Sequence, residues 1–372
     1  MPVGVEVTVQ DERAMARALE VGEHGRRTAP PNPWVGCVLV RDGVVVGEGF
    51  HERPGAPHAE AAALAAAGDR AAGATAVVTL EPCSHHGRTP PCADALVAAG
   101  VTRVVVALED PDPKVSGRGI ARLREHGVAV DVGIGTVGAA RSLAPYLHHR
   151  RTGRAYCVLK TAMSLDGRAA ATDGSSRWIT GPEARADAHE LRADSQAVVV
   201  GAGTALADSP ALTARDVVAP VERQPLRVLL DARGRVPATG PLFDSALAPT
   251  LVVTTERADP GTVDAWRAAG AKVETVAAAG GGVDLIATLA LLGSHGLLQA
   301  MVEGGPTLHG ALLAAELVDR MVAYIAPTAL GRDARPALDG PGPATLADAA
   351  RWDPVSVTRL GDDVRLEHEA RG

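Results

Sequence analysis

Residues that could bind a metal ion are grouped in the first part of the chain. His58 stands two residues before Glu60, and Cys83 and Cys92 follow. One imidazole and two thiolates suit zinc, and three protein ligands leave a fourth position for water, as in catalytic zinc sites. Zinc lowers the pKa of a bound water to about 7, so a carboxylate beside it could move its proton to a leaving amine. The pattern predicts a hydrolytic metal centre with Glu60 as the proton carrier.

A structural zinc site is the alternative for these residues. It would need a fourth protein ligand at short spacing, which only His85 or His86 offers. Cys37 and Cys157 lie in strand-like runs and are predicted to be small core residues. Four cysteines in 372 residues are too few for a disulfide scaffold, and this favours a reducing compartment.

The candidate ligands are predicted to stand where helices begin. A helix start offers unpaired backbone N–H groups and a favourable dipole, which stabilise thiolate at Cys83 and Cys92. Asp42-Gly43 joins two extended runs and is typical of a hairpin turn. Apolar spacing predicts helices over 11–24, 58–67 and 92–99 and strands over 76–80, 103–108 and 128–132. This alternation predicts a layered α/β domain.

The metal motif is similar to that of the zinc nucleobase deaminases, which carry His-x-Glu and Pro-Cys-x-x-Cys. Eight residues separate Cys83 from Cys92 here instead of two, and two His, an Arg and hydroxyls in this insertion suit an anionic group such as phosphate. Residues 31–36, His51, 57–60 and 81–92 closely resemble the deaminase domain of the RibD family of bifunctional riboflavin-biosynthesis proteins, over roughly residues 10–150.

This resemblance implies a cytidine-deaminase-like three-layer domain that removes an amino group from a phosphoribosylamino-diaminopyrimidinone. It makes His58, Cys83 and Cys92 the zinc ligands and Glu60 the proton shuttle. It places Asn32, His51, His85 and Arg88 on the substrate. Trp34 departs from the Asn or Met-like residue expected between Pro33 and Val35.

A second alternating series follows a basic stretch over 147–154, so we predict domains at 1–150 and 151–372. Strands are expected near 155–160, 197–201, 226–231, 250–254, 299–303 and 320–325, and helices near 182–193, 259–269, 284–292 and 306–316. Residues 355–368 indicate a hairpin closing on Gly361-Asp362, and 277–282 indicate a loop. The Gly-x-Gly-x-x-Gly motif of a Rossmann site is missing from this half. The glycine turns within 198–204 and 301–307 could instead hold phosphate on free backbone N–H groups.

Residues 159–168, 176–180, 191–192, 207–215 and 303–307 resemble the RibD reductase domain, which has a dihydrofolate-reductase-like fold. The resemblance runs from about residue 155 to the C-terminus and implies that NADPH reduces the ribosyl chain of the deaminated product to ribityl. The implied NADPH contacts are Ala162, Trp178, Thr204, Asp208, Gly305, Pro306, Thr307, Leu308 and His309. The implied substrate contacts are Ser176, Arg192, Leu212, Arg215 and Glu303, of which the two arginines suit phosphate.

Lys160 is the candidate polar group at the reacting carbon. The chain uses Arg almost everywhere and has Lys only at Lys114, Lys160 and Lys272. Unlike Arg, a buried Lys can have its pKa lowered and act as an acid or base. The alternative is that Lys160 merely extends to solvent from a strand end. Seven histidines without a partner at ligand spacing are predicted to be solvated, namely His24, His126, His148, His149, His189, His295 and His368.

Composition excludes several classes of protein. The charge of -7, from 37 basic and 44 acidic residues, leaves no basic stripe for a nucleic acid. Neither a membrane-spanning run nor a secretion signal is evident. We expect a cytoplasmic homo-oligomeric enzyme that uses Zn²⁺ and NADPH on a small phosphorylated pyrimidine. The alternative is a deaminase of another base whose second half is a non-catalytic binding or dimerisation module.

Overall fold

The computed structural model describes residues 8–85, 90–219 and 221–371. The chain forms two compact units, residues 1–153 and 154–372. The basic stretch that predicts a boundary near residue 150 is helical up to Thr152, and the helix ends at Gly153 in the left-handed conformation (φ 73°). None of the helices in the described ranges is long and apolar enough to span a bilayer.

The first unit has a mixed sheet with helices on both faces. Its strands are β1 Gly36–Arg41, β2 Val44–Phe50, β3 Thr75–Val78, β4 Arg103–Val106 and β5 Ala129–Val132. Its helices are α1 Val9–Glu23, α2 Ala59–Ala67, α3 Cys92–Ala98, α4 Arg118–Glu125, α5 Thr136–Ser142 and α6 Ala144–Thr152, with a 3₁₀ turn over Gly68–Ala71. The strand order is β2-β1-β3-β4-β5, with β3, β4 and β5 parallel.

Successive side chains of β1 point to opposite faces of the sheet and enter the hydrophobic cores on both faces of this unit. Cys37 and Leu39 join the cluster that contains α2 and α3, whereas Val38 joins the cluster against α1. Helix α2 approaches β2 closely because that strand carries Gly47 and Gly49. A Cβ at Gly49 would lie 2.4 Å from the Ala63 nitrogen. This close approach sets the distance between α2 and the sheet, and α2 begins at the predicted metal ligand His58.

The second unit is built on a longer mixed sheet. Its strands are β6 Tyr156–Ser164, β7 Arg168–Ala170, β8 Ala197–Gly201, β9 Leu226–Leu230, β10 Thr250–Thr254, β11 Lys272–Thr275, β12 Ala278–Ala279, β13 Gly282–Val283, β14 Gln299–Val302, β15 Arg320–Ala326, β16 Arg335–Pro336, β17 Trp352–Leu360 and β18 Asp363–Ala370. Its helices are α7 Pro182–Ala193, α8 Ala202–Asp208, α9 Pro260–Ala268, α10 Leu285–Ser294 and α11 Pro306–Ala314, with 3₁₀ turns over Pro241–Phe243 and Leu346–Asp348.

The main sheet of this unit runs β11-β10-β9-β8-β14-β6-β15-β18-β17. The strands from β11 to β15 are parallel, and the β17–β18 hairpin adds two antiparallel strands. Since β8, β14 and β6 are neighbours, the segments that follow them lie at one edge of the sheet. These are the segments that carry the predicted reductase residues.

The structure confirms both predicted hairpins and most of the periodic elements. The predicted loop over 277–282 is wrong, because β12 and β13 pair there as a short hairpin. Besides this hairpin, six helices and strands of the described residues were not predicted: α4, α5, α6, β7, β11 and β16. None of them is longer than nine residues, so each offers few repeats from which a period could be read.

Candidate functional site

The three predicted metal ligands converge in the first unit. His58 is the N-cap of α2, Cys92 opens α3, and Cys83 lies in the segment after β3. The His58 Nδ1 atom is 3.6 Å from Cys83 Sγ and 3.3 Å from Cys92 Sγ, and all three ligand atoms lie within 4.8 Å of one another. Tetrahedral zinc with ordinary Zn–N and Zn–S bonds would place N and S about 3.6 Å apart. The donor set therefore fits zinc.

Glu60 lies in the first turn of α2 and is 3% exposed. The Cys92 thiol is hydrogen-bonded to its carboxylate. Burial, together with the negative charge at Cys83, raises the pKa of Glu60 to about 7. A carboxyl group with such a pKa can both take up and release a proton near neutral pH, as a general acid–base group must.

His51 and Asn32 form a second, smaller group beside the ligands. The His51 ring centroid is 5.1 Å from that of His58. The Asn32 amide nitrogen is 2.9 Å from His51 Nε2, while His51 Nδ1 is 3.0 Å from the Pro57 carbonyl oxygen. These contacts are satisfied when Nδ1–H donates to Pro57 and Nε2 accepts from Asn32, which is the neutral imidazole. Burial lowers the pKa of His51, in agreement with that form.

Other predicted deaminase contacts have different outcomes. His85 is exposed in the segment between the two cysteine ligands, and Arg88 lies outside the described residues. Trp34 is buried, and its indole N–H donates to Ser142 Oγ at 3.1 Å while the Arg26 guanidinium lies over its ring. Trp34 is therefore held by neighbours of its own.

One buried carboxylate near the metal ligands is not among the predicted site residues. Glu81 stands two residues before Cys83 and is 5% exposed. It accepts hydrogen bonds from backbone N–H groups at the start of α4, a helix that the sequence pattern does not predict. The signal that could have found it is its place in the motif itself, directly before Pro82-Cys83.

In the second unit the two glycine turns lie side by side. Strand β8 ends at Gly201 and leads into α8, while β14 leads through Gly304 and Gly305 into α11. A Cβ added to Gly305 would lie 3.1 Å from Thr204 Oγ1, and one added to Gly304 would collide with Leu308. The starts of α8 and α11 thus present backbone N–H groups close together, and the glycines there leave the backbone uncovered by side chains. This arrangement fits the diphosphate of a dinucleotide.

Lys160 lies on β6 at the same edge of the sheet. Its Nζ is 5.8 Å from the ring centroid of Tyr324, a diagonal neighbour on β15. The Tyr324 hydroxyl donates to Asp187 at 2.6 Å, which fixes the ring. Burial lowers the pKa of Lys160, Glu303 opposes this effect and Arg192 reinforces it. Lys160 is thus partly desolvated and does not merely extend to solvent.

Arg192 and Glu303 were each predicted on the substrate, and the structure pairs them with one another. The Arg192 guanidinium donates from Nε and Nη2 to the Glu303 carboxylate and from Nη1 to the Thr213 carbonyl. Burial raises the pKa of Glu303, but the charge of Arg192 outweighs this effect and lowers the pKa to about 2. The N–H donors of Arg192 are already bonded to protein acceptors. A substrate phosphate would therefore have to compete for these donors or bind Arg215, which is exposed.

Two predictions about single side chains need correction. Leu212 is only 2% exposed and has φ +54°, so its side chain is in the core and only its backbone could meet a ligand. His189, predicted to be solvated, is half-buried with Nδ1 3.4 Å from Arg192 Nη1. Burial, Arg192 and Arg215 lower the pKa of His189 to about 4, so it is neutral at pH 7. His148, His149 and His368, which were also predicted to be solvated, are half-buried as well.

The remaining predicted reductase residues differ in their burial and contacts. Trp178 is 68% exposed, with the Arg185 guanidinium 4.4 Å from its ring centroid. The Asp208 carbonyl accepts a hydrogen bond from Arg177 at 3.0 Å. His309 is 4% exposed, and its Nδ1 lies 3.2 Å from the Ala337 carbonyl. The half-buried residues are Ala162, Ser176, Thr204, Pro306 and Leu308, and Thr307 is exposed.

Family comparisons agree with this division of the chain. Residues 8–108 match the cytidine and deoxycytidylate deaminase zinc-binding region, and residues 155–366 match the RibD C-terminal domain. The first match contains the cluster of His58, Cys83 and Cys92. The second spans both glycine turns and Lys160.

Individual relatives are similar over almost the whole chain. The riboflavin biosynthesis protein RibD of Escherichia coli K12 is 45% identical over 370 residues, which cover 96% of this chain and 99% of the relative. The structure of Acinetobacter baumannii RibD superposes with a TM-score of 0.87 at 39% identity and covers 98% of this chain and 99% of its own. A Thermotoga maritima diaminohydroxyphosphoribosylaminopyrimidine deaminase/5-amino-6-(5-phosphoribosylamino)uracil reductase gives 0.83 at 31% identity, covering 97% and 99%.

Proposed function

Because the chain belongs to the RibD family and is a bifunctional riboflavin-biosynthesis enzyme, we propose which of its residues carry out each of the two reactions. The first reaction is hydrolytic deamination of 2,5-diamino-6-(5-phosphoribosylamino)pyrimidin-4(3H)-one to 5-amino-6-(5-phosphoribosylamino)uracil. The second is NADPH-dependent reduction of the ribosyl chain of that product to ribityl. The convergence of one imidazole and two thiols beside a buried carboxyl group is the observation that carries the deaminase assignment.

In the deaminase unit, His58, Cys83 and Cys92 would hold the zinc ion. Zinc, when bound, supplies a Lewis acid that lowers the pKa of water. Glu60, which is buried in the first turn of α2 beside the ligands, takes a proton from the attacking water and gives it to the departing amino group. Asn32, oriented by the neutral His51, binds a polar edge of the pyrimidine. His85 and Arg88 are proposed for the phosphate.

In the reductase unit, NADPH, when bound, would supply the hydride for C1′ of the opened sugar. Lys160 donates the proton that accompanies the hydride, because it is partly desolvated and its Nζ lies near the Tyr324 ring at this edge. The turn at Gly305–His309 and the start of α8 at Thr204 hold the cofactor phosphates. Trp178, Ala162 and Asp208 complete the NADPH contacts.

The substrate of the reductase is proposed to lie against Ser176, Arg192, Arg215, Glu303 and the backbone of Leu212. Arg215 is exposed and free to meet the phosphate, while Glu303 can accept a hydrogen bond from a sugar hydroxyl alongside Arg192. The homo-oligomeric state and the cytoplasmic location stay predictions. The alternative of a non-catalytic second half is disfavoured, because that half matches the RibD C-terminal domain.

The test is to incubate the protein with the diaminopyrimidinone phosphate and to identify the products by mass. Without NADPH we expect a gain of about one mass unit, since an amino group is replaced by oxygen. With NADPH we expect a further gain of about two mass units, since a hydride and a proton are added. Deamination of cytidine in place of this substrate would contradict the proposal for the first unit. Failure to bind NADPH would contradict it for the second.

A further inference from the structure

Glu81 is a buried carboxylate that the two reactions leave without a role. It follows β3, and in sequence only Pro82 stands between Glu81 and the metal ligand Cys83. Its Oε1 atom accepts hydrogen bonds from the N–H groups of Gly119 at 2.8 Å and Ile120 at 3.1 Å. Its Oε2 atom accepts from Gly117 at 2.9 Å and from Asp110 at 3.2 Å.

These donors are mainly the free N–H groups at the start of α4. The N-cap residue of that helix is Gly117, which has no side chain to cap it. Glu81 therefore caps α4 from another part of the chain, and the positive end of the helix dipole compensates the buried charge. No basic side chain pairs with Glu81 among the ion pairs of the described residues.

A second, independent contact acts on Pro82. A Cβ added to Gly119 would lie 1.8 Å from the Pro82 carbonyl oxygen and 3.2 Å from Glu81 Oε1. The backbone directly before Cys83 thus rests against the bare Cα of Gly119. On its other side Cys83 is held by α3, because its carbonyl accepts from Ala93 N at 3.1 Å and its sulfur from Cys92 N at 3.4 Å.

We propose that Glu81 and Gly119 are positioning residues for the zinc site: together they dock the Cys83 segment on the start of α4 and set the thiolate at ligand distance from His58. Residues that orient metal ligands typically contribute about 10- to 100-fold to metal affinity. Helix α4 carries no ligand, and Glu81 and Gly119 join it directly to the segment that carries Cys83.

The experiment measures zinc affinity of the full-length protein by competition with a chromogenic chelator. The variants are Glu81→Gln, which replaces one of the two acceptor oxygens by an amide N–H₂ that faces N–H donors, and Gly119→Ala, which displaces Pro82. We expect the zinc dissociation constant to rise by about 10- to 100-fold in both. Deaminase activity should recover in excess zinc, and reductase activity should be unchanged.

Val105→Ala is the matched control, because Val105 is fully buried in β4 on the face that packs against α1. It loosens the same unit without changing Glu81 or Gly119, and its zinc affinity should stay at the wild-type value. Wild-type zinc affinity in both Glu81→Gln and Gly119→Ala, or an equal loss in Val105→Ala, would overturn the proposal. If neither Glu81→Gln nor Gly119→Ala folds, the two residues serve folding in general, and the proposal is overturned as well.

Discussion

The Arg192 guanidinium on α7 donates two parallel hydrogen bonds to the carboxylate of Glu303, the residue that follows β14. The two residues are 111 positions apart in sequence, and their side chains are only 16% and 9% exposed. The pair ties the helix to the sheet edge where Lys160 and both glycine turns lie. The pair therefore holds one positive and one negative charge in place at this sheet edge without a bound ligand.

Replacing Arg192 by Met should therefore destabilise the second unit. Removal of one partner leaves a buried charge uncompensated, which typically costs about 3–5 kcal/mol. The double variant with Glu303→Met should lose less than the sum of the two single variants. Chemical denaturation of the four proteins gives the coupling free energy, and additive losses would show that the pair is not coupled.

Replacing Lys160 by Met should lower reductase kcat by about 100- to 10,000-fold, the usual contribution of a general acid. Deaminase activity should be unaffected. Since Lys160 must be protonated to donate, kcat/KM of the reductase should fall as pH rises through its pKa, which burial places below the ordinary 10.5. Lys160→Arg keeps its charge throughout, so its profile should lose this decline. A wild-type profile that stays level through alkaline pH would contradict the role of Lys160.

Glu60→Gln should abolish ammonia release, because the amide cannot accept the proton of water. The same protein should reduce supplied 5-amino-6-(5-phosphoribosylamino)uracil at the wild-type rate. Ammonia and NADPH are assayed separately on the one preparation. Loss of both activities would contradict the assignment of the two reactions to separate sites.

Asp110 should make the first unit less stable at neutral pH than at mildly acidic pH. Burial raises the pKa of Asp110 from 3.8 to about 6, although Tyr146 and the Asp112 N–H donate to it. Between these values the folded state binds more protons than the unfolded state, so the free energy of unfolding falls as pH rises.

Asp110→Asn tests this, since the amide oxygen can keep both hydrogen bonds without charge. The variant should gain at most about 2–3 kcal/mol at pH 7 and lose the pH dependence between 4 and 6. Denaturation series at several pH values provide the measurement. Unchanged pH dependence in the variant would assign the effect to another group.

Much of the architecture could be predicted from local patterns. The hairpins at Asp42-Gly43 and Gly361-Asp362 and most helices and strands follow from turn chemistry and apolar spacing, which act over a few residues. The metal centre was also predictable, because His58, Glu60, Cys83 and Cys92 form a compact motif. The short helix α4 was missed although Ile120 and Leu123 are buried at helical spacing, because its N-cap Gly117 gives no capping signal and its start is capped by Glu81 from another part of the chain.

The sequence by itself determined which chemistry this chain can perform: the ligand types, the proton carrier, the glycine turns and a lysine among arginines. Only the tertiary structure decided how those groups are held. Glu81 meets α4 through residues 36 to 39 positions away, and Arg192 meets Glu303 across 111. The Leu212 side chain, which the family resemblance placed on the substrate, lies in the core. Such contacts depend on how strands and helices pack, and no local pattern of residues encodes them.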